Sequence, residues 1–352
     1  MANIGIVGAG LSGLAAARMI ERAGHHVTLF EKSRGTGGRA ATRRREGCRY
    51  DHGANYFKLN DAIRDLVLHE LPTDDLVTID DPVWTFGTEG ELTPGAERPN
   101  SQTRYSYRFG INQLTKLLYA TLDAPMHTQT RIQHIEGDGA TWHFVTTEGA
   151  RYGPYDAVVL TPPGPQTLDL LRASTLPTAI DRDALLQTWS ESAYQPQFAC
   201  VFGLNHRIPF PFSALLNTDR EHPIAWLQVE HAKAGHVPEA SSVLVVQMSP
   251  AWTAEHYDQD RDVVIATAWP ITKQLLGIEQ SEFLAWADLQ RWRYALPTTA
   301  VDARALASSE AAGLYFASDA LIGKGRVEGV LAQGMQVGER VAAGLAVETA
   351  TS

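Results

Sequence analysis

The sequence predicts an α/β fold in which a mostly parallel nucleotide-binding sheet is interleaved along the chain with a second, antiparallel-sheet domain. Three observations predict it. A short apolar run, Asn3 to Gly8, leads directly into a glycine-rich turn and a helical stretch. Near the other end, Leu314 to Ser318 is a second short apolar run, followed by Asp319, further glycines and a second helical stretch. Between them lie strand-length runs, "QFACVFGL" (Gln197–Leu204), "IAWLQVEHA" (Ile224–Ala232) and "SSVLVVQMS" (Ser241–Ser249), with no low-complexity linker and no repeat. Strands buried on both faces read as continuous apolar runs, and half-buried strands alternate. The nucleotide-binding domain is therefore expected from residues 1–61, 109–164 and 300–352, and the substrate domain from 62–108 and 165–299.

Bulk properties narrow the function. A length of 352 residues suits one large domain or two interleaved ones, and 44% apolar residues supply an ordinary core. The net charge of −10 argues against a general nucleic-acid or membrane surface, while leaving room for a local basic pocket. Cys48 and Cys200 cannot build a disulfide framework or a metal cluster, which fits a reducing, cytoplasmic compartment and no metal. The opening "MANIGIVGAG" lacks a basic n-region and a cleavage site, and reads as the first strand. No apolar run is long enough to span a membrane. The pattern carries no signal for an oligomeric state.

The first forty residues carry the strongest motif. Gly8, Gly10 and Gly13 stand in G-x-G-x-x-G spacing after the strand. Gly8 suits the tight turn, Gly10 lets a pyrophosphate approach the backbone, and Gly13 lets helix and strand pack closely. Leu11 and Ser12 open a helix to Ala23, whose N-terminal N–H groups and positive dipole end favour a phosphate. Gly24 stops that helix, and "HVTLFE" is a second strand ending at Glu31. Glu31 lies 18 residues after Gly13, where an acid accepts hydrogen bonds from the ribose hydroxyls and repels a 2′-phosphate. The alternative, a tight βα turn that binds nothing, does not explain strand, glycines, helix, strand and acid all falling in order.

The residues after Glu31 favour FAD over NAD. Lys32 is followed by "SRGTGGRAATRR", an R-x-x-G-G-R-x-x-T pattern with Gly38, Arg39 and Thr42. It resembles the second signature of the flavoprotein amine-oxidase superfamily. The glycines let backbone pass close to a cofactor, and Arg39 offers a planar cation to the pyrophosphate or flavin. Arg43, Arg44 and Arg45 read as a solvated basic loop. The resemblance implies that the last strand returns to the cofactor sheet and that Asp319 contacts the ribityl–pyrophosphate region. It also places the Glu328–Gly329–Val330 step, opening a helix to about Leu345, at the flavin. A helix N-cap is the plainer use of Asp319. Strands are further expected near Gln129–Glu136, Thr141–Thr146 and Ala157–Thr161. By the same resemblance the backbone near Ile132 meets adenine, and the strand ending at Thr161 is the last before the substrate domain.

Two stretches point to the reacting end. In "LQRWRYALP" (Leu289–Pro297), read as a strand, Gln290, Trp292 and Tyr294 share one face, and the two aromatics could stack a flat ring. An aromatic core strand is the equal alternative. In "DHGANYFKLND" (Asp51–Asp61), Gly53 and Ala54 are small enough for ring-edge contact, Asn55 and Tyr56 can reach flavin or substrate, and Phe57 and Lys58 begin the substrate side. A buried turn that packs Tyr56 or Phe57 into the core is the alternative. Arg64, Arg104 and Arg108 suit a substrate phosphate or the surface alike.

Together, "YDHGANYF" and "RWRYA", with the wider motifs "GIVGAGLSGLAAA", "FEKSRGTGGRAATRR", "YRFGINQLTKLL" and "YFASDALIGKGRVEGVLAQG", resemble the renalases along essentially the whole chain. The resemblance implies a p-hydroxybenzoate-hydroxylase-like fold and non-covalent FAD. It implies oxidation of 2- and 6-dihydro isomers of NAD(P) by hydride transfer to flavin N5, with O2 as acceptor and hydrogen peroxide as product. Such a substrate leaves as a cation without deprotonation, so no acid or base is required, no catalytic residue is assigned, and His52 is not taken as a base. One alternative is a flavin amine oxidase or dehydrogenase acting on a primary amine or polyamine. No cysteine follows Cys200 to carry a covalent flavin there, and neither Lys273 nor Lys324 matches the lysine such enzymes place at the flavin. A non-catalytic, nucleotide-sensing FAD protein is the other.

Overall fold

The computed structural model describes residues 1–95, 103–280 and 283–351. Its five-stranded sheet runs Leu314–Phe316, Ala157–Leu160, Asn3–Val7, His26–Phe30, Met126–His127, and every pairing is parallel. Asn3–Val7 lies at the centre, where Ile4 and Ile6 lose all exposure between layers. Both faces of this parallel sheet are covered, which is why its strands are short continuous apolar runs. The helices Leu11–Arg22 and Val327–Thr351 pack on one face. Their approach is close because Gly334 and Gly338 have no Cβ: one added there would lie 2.4 Å from the Ser12 carbonyl oxygen and 2.5 Å from that of Ala16. The last helix begins at Val327, so Glu328, Gly329 and Val330 form its first turn.

The second large sheet has seven strands, in the order Leu284–Pro297, Tyr194–Leu204, Ser242–Met248, Ile224–Val229, Ala214–Asn217, Val83–Phe86, Leu92–Thr93. It is mixed rather than antiparallel throughout, because Val83–Phe86 joins Ala214–Asn217 in parallel. Val83–Phe86 enters from a distant stretch of chain, and a parallel partner needs a crossover that no hairpin signal announces. The strand Tyr194–Leu204 is buried on both faces. Phe198, Cys200 and Phe202 pack beneath the helix Arg261–Leu276, and Ala199 and Val201 pack with Cys48 and Tyr50 on the other side. That second side is the roof over the nucleotide-binding domain.

Two smaller sheets join these, the first of them packed on the Phe30, Val158 and Leu160 face of the parallel sheet. Ile132–Gly137, Trp142–Thr146 and Arg151–Tyr155 form an antiparallel three-stranded sheet, the third strand lacking any clear sequence pattern. Thr42–Arg45 and Cys48–Asp51 form a hairpin whose turn residues Glu46 and Gly47 both have positive φ (48° and 73°). The arginines therefore stand on a strand rather than in a loop, with Arg44 and Arg45 exposed and Arg43 half-buried. Arg43 bonds Asp288 (2.8 Å) and the Gln290 side chain (2.6 Å), and Arg45 donates to the Ala287 carbonyl and lies over Trp286. No helix among the described residues is long and apolar enough to cross a membrane.

Candidate functional site

The Gly8–Gly13 turn is shaped by sterics. Gly8 has φ +107°, and a Cβ there would lie 2.2 Å from Thr161 Oγ1. Thr161 donates that hydroxyl to the Val7 carbonyl (2.8 Å), which ties the two strand ends together. A Cβ on Gly13 would meet the Gly8 carbonyl oxygen at 2.1 Å, whereas one on Gly10 would meet nothing within 4 Å. The helix Leu11–Arg22 starts at Gly10 with no side-chain cap and no acid in its first turn. An open approach at Gly10 before uncapped N–H groups is what a pyrophosphate requires. Ser12 donates to the Val330 carbonyl (3.3 Å), so the first and last helices meet at their N-terminal ends. Glu31 is buried and accepts from the Ala9 and Ser33 N–H groups (3.0 and 2.8 Å), one at each oxygen. Each oxygen keeps a second lone pair for a ribose hydroxyl. Lys32 reaches Gln166 (3.3 Å), and burial, then Arg131, lowers its pKa. Ile132 is buried at the start of its strand.

The arginine–glycine loop folds back onto this turn. The Gly37 N–H donates to the Ala9 carbonyl (3.1 Å), and Gly38, at φ +57°, sits against Gly10. Arg39 then leaves the turn and bonds Asp319 (2.6 Å), whose side chain has no exposure. The same nitrogen, Nη1, donates to the carbonyls of Tyr294 and Ala295 (both 3.2 Å). The strand Leu284–Pro297 is irregularly paired between Trp292 and Leu296, which frees those carbonyls from the ladder. Tyr194 donates its hydroxyl to the other Asp319 oxygen (2.5 Å). The capping role falls to Ser318, which accepts from the Ala320 N–H, so Asp319 is not a helix cap. Arg39 is thus charge-balanced by Asp319.

The Asp51–Lys58 loop lies between that assembly and the roof. The Ala54 N–H donates to the Arg39 carbonyl (2.9 Å). Gly53 is wedged so closely that a Cβ would lie 2.0 Å from the Arg39 carbonyl oxygen and 3.3 Å from the Trp292 ring. From the roof, Gln247 donates to the Gly53 carbonyl and Trp292 Nε1 to the His52 carbonyl (both 2.8 Å). Trp292 also stacks on His52, with centroids 5.5 Å apart and planes 13° apart. Burial, and then Arg43, depresses the His52 pKa to about 4, so its ring is neutral, and its Nδ1 is buried without a partner. Asn55 is buried and donates to the Asp51 carbonyl (2.5 Å). Tyr294 stands edge-on to Tyr194 at 6.0 Å. Tyr56 and Lys58 are half-buried. Phe57 is a correction to the substrate set: it has no exposure and stacks between Tyr105 and Tyr107 in the core. Its backbone pairs with Tyr105, which turns the side chain inward.

The model of the flavin-containing amine oxidoreductases matches residues 85–342, and that of an NAD(P)-binding Rossmann-like domain matches residues 6–69. The chain belongs to the flavin-containing amine oxidoreductase family. FAD is its cofactor, and the open, uncapped turn and the buried acid at Glu31 fit that group. A 64-residue stretch is 40% identical to 4,4′-diapophytoene desaturase of Staphylococcus aureus (strain Newman), covering 18% of this chain and only 13% of that protein. Among solved structures, a candidate protoporphyrinogen oxidase from Exiguobacterium sp. 255-15 superposes with TM-score 0.77 at 17% identity, over 97% of this chain and 99% of that one. Reduced UDP-galactopyranose mutase gives TM-score 0.77 at 14% identity, over 99% and 96% of the two chains. Putrescine oxidase bound to putrescine gives 0.73 at 13% identity, over 98% and 99%. Likenesses at these identities describe the fold alone.

One cluster escapes sequence reasoning. Asp51, Glu230, Lys233 and His236 have side chains with no exposure. Lys233 Nζ bonds Asp51 (2.9 Å) and Glu230 (2.8 Å), and His236 lies between Glu230 (2.7 Å) and the Tyr107 carbonyl (2.9 Å). Both His236 partners are acceptors, so its ring carries two protons. The Glu-x-x-Lys-x-x-His spacing from Glu230 is a signal in hindsight, but the fourth member, Asp51, is 182 residues from Lys233.

Proposed function

We propose that the protein is a renalase-type oxidase that converts 2- and 6-dihydro isomers of NAD(P) to NAD(P)⁺. The observation that carries this reading is the weakly basic loop beneath the roof: His52 is stacked flat on Trp292 with its pKa depressed to about 4, and the Trp292 N–H is already donated to the His52 carbonyl. Asp51, the loop's one carboxylate, is buried against Lys233. That loop therefore offers only a weak base, the neutral His52 ring, which suits a donor that becomes a cation on losing hydride and has no proton to shed. Bound FAD would supply the two-electron acceptor for that hydride, with O2 as the terminal oxidant.

The chain's own residues then bind and orient. Gly8, Gly10, Leu11, Ser12 and Gly13 take the pyrophosphate, Glu31 the ribose, and Lys32 and Ile132 the adenosine end. Gly38, Ala54, Asn55, Thr161, Asp319 and the Glu328–Val330 turn line the ribityl and flavin end. Arg39 holds Asp319 and the displaced strand in place beside it. Trp292 and Tyr294 cover the substrate ring and exclude water, leaving orientation as the protein's main contribution.

An amine oxidase of the same family offers the opposite expectation. The holoenzyme, mixed anaerobically with 6-dihydro-NAD, should lose its flavin colour rapidly, and putrescine should leave it oxidised. Fast bleaching by a primary amine or polyamine, with slow bleaching by dihydronicotinamides, would sink the renalase reading.

A further inference from the structure

The Asp51–Lys58 segment ends on a pair of cations that ring chemistry does not use. Phe57 and Tyr105 form an antiparallel bridge with N–H···O distances of 2.9 and 2.8 Å. Lys58 follows Phe57 and Arg104 precedes Tyr105, so the bridge sets the two across from one another. Like charges so placed repel. Among the described residues, neither has a carboxylate within ion-pair distance. Arg104 spends Nη1 on the Ser213 hydroxyl (2.9 Å) and Nη2 on the carbonyls of Ile79 (3.2 Å) and Asp81. These neutral partners orient the guanidinium; burial lowers its pKa, against the nearby charges of Asp81 and Asp80, neither of which pairs with it.

Beside the cations lies an aromatic shelf. The Arg104 guanidinium sits over Tyr56 at 5.9 Å, and the Tyr56 ring is 5.7 Å from that of Trp226. The Trp226 Nε1–H is buried and has no acceptor. Trp226 pairs across the sheet with Leu216, which is 41% exposed while Ala214 and Leu215 beside it are fully buried. On its other side Trp226 pairs with Gln247, the residue that reaches Gly53. The shelf therefore adjoins the reacting end of the site.

We propose that Lys58, Arg104, Tyr56 and Trp226 form a subsite for the phosphate-bearing, non-reacting half of a nucleotide substrate. This rests on the nucleotide-oxidising reading above. Two cations without an ion-pair partner match a diphosphate, the exposed apolar shelf matches a flat base or ribose face, and the orphan indole N–H matches an oxygen acceptor.

The test compares 6-dihydro-NAD with 6-dihydronicotinamide riboside, which lacks phosphate, on holoenzyme with FAD content checked. In Arg104→Gln, and separately in Lys58→Gln, the ratio of dinucleotide to riboside kcat/KM should fall roughly tenfold, through KM rather than kcat. Arg104→Lys should recover part of it. ADP-ribose should bind the oxidised wild-type holoenzyme, more weakly as salt rises, and roughly tenfold more weakly to either Gln variant. An unchanged ratio in both Gln variants, or no binding of ADP-ribose to the wild type, overturns the subsite. If neither dihydronicotinamide bleaches the wild type while ADP-ribose binding still depends on Arg104, the oxidase reading fails and the subsite stands.

Discussion

The Gly8–Gly13 turn and the Asp51–Asn55 loop both approach the proposed FAD position, yet they are held in opposite ways. The turn is held by the absence of atoms: a Cβ on Gly8 or Gly13 would land 2.2 Å or 2.1 Å from its neighbour. The loop is held by charge: the Asp51 carboxylate accepts from Thr42, Ser106 and the Ile111 N–H and pairs with Lys233, deep in a cluster of two anions and two cations. Steric fit is local and tolerates little change at any one atom. A buried charge cluster draws on distant residues and holds only while it is complete, because each member left alone is an unsolvated charge.

The most damaging way to break that contrast is Lys233→Met, which keeps the volume, leaves Asp51 without its ion-pair partner and leaves Glu230 with His236 alone. It should cost about 3–5 kcal/mol of stability in a urea titration. A loss below about 1 kcal/mol would mean that water reaches the cluster and that charge does not hold the loop.

The turn makes a smaller and sharper test. Gly13→Ala drives a methyl into the Gly8 carbonyl and should cost about 3 kcal/mol. Gly10→Ala adds its methyl to open space and sits at φ −83°, so the apoprotein should stay within about 0.5 kcal/mol of wild type. Its FAD retention on gel filtration should nevertheless collapse, since that open space is the proposed pyrophosphate path. A Gly10→Ala variant that keeps its yellow colour would show that the cofactor runs elsewhere.

The same contrast explains what could be read from the sequence. The turn, Glu31, the two flanking strands and the last helix were legible because each depends on spacing within a few dozen residues. The cofactor loop was half legible: Arg39 stood out, but its partners Asp319 and the Tyr294 and Ala295 carbonyls are set by a strand irregularity far along the chain. Phe57 misled because an aromatic next to a glycine loop looks the same whether it faces substrate or core, and only the Tyr105 bridge decides. The parallel pairing of Val83–Phe86 and the Asp51–Lys233 pair had no local signature at all.

His52 joins the two modes of support, and its effect is the smallest and the most specific. Its ring is packed flat on Trp292, and Asp51 and Asp288 favour its protonation while burial and Arg43 oppose it. Opposition wins, and the pKa falls from 6.5 to about 4. The unfolded chain therefore takes up a proton near pH 6.5 that the folded protein refuses until about pH 4. Stability from this group is complete above pH 6.5 and drains away as pH falls toward 4. His236, raised by Asp51 and Glu230 against its own burial, works with the opposite sign, losing its contribution as pH rises above 6.5, so total stability against pH mixes the two. The difference between wild type and His52→Phe isolates the first: phenylalanine keeps the stack on Trp292 and cannot titrate. Between pH 7 and pH 5 the wild type should lose about 2 kcal/mol relative to that variant in parallel urea titrations. A constant difference would mean that the folded protein protonates His52 as readily as the unfolded chain does, and the weakly basic loop on which the hydride-transfer reading rests would be gone.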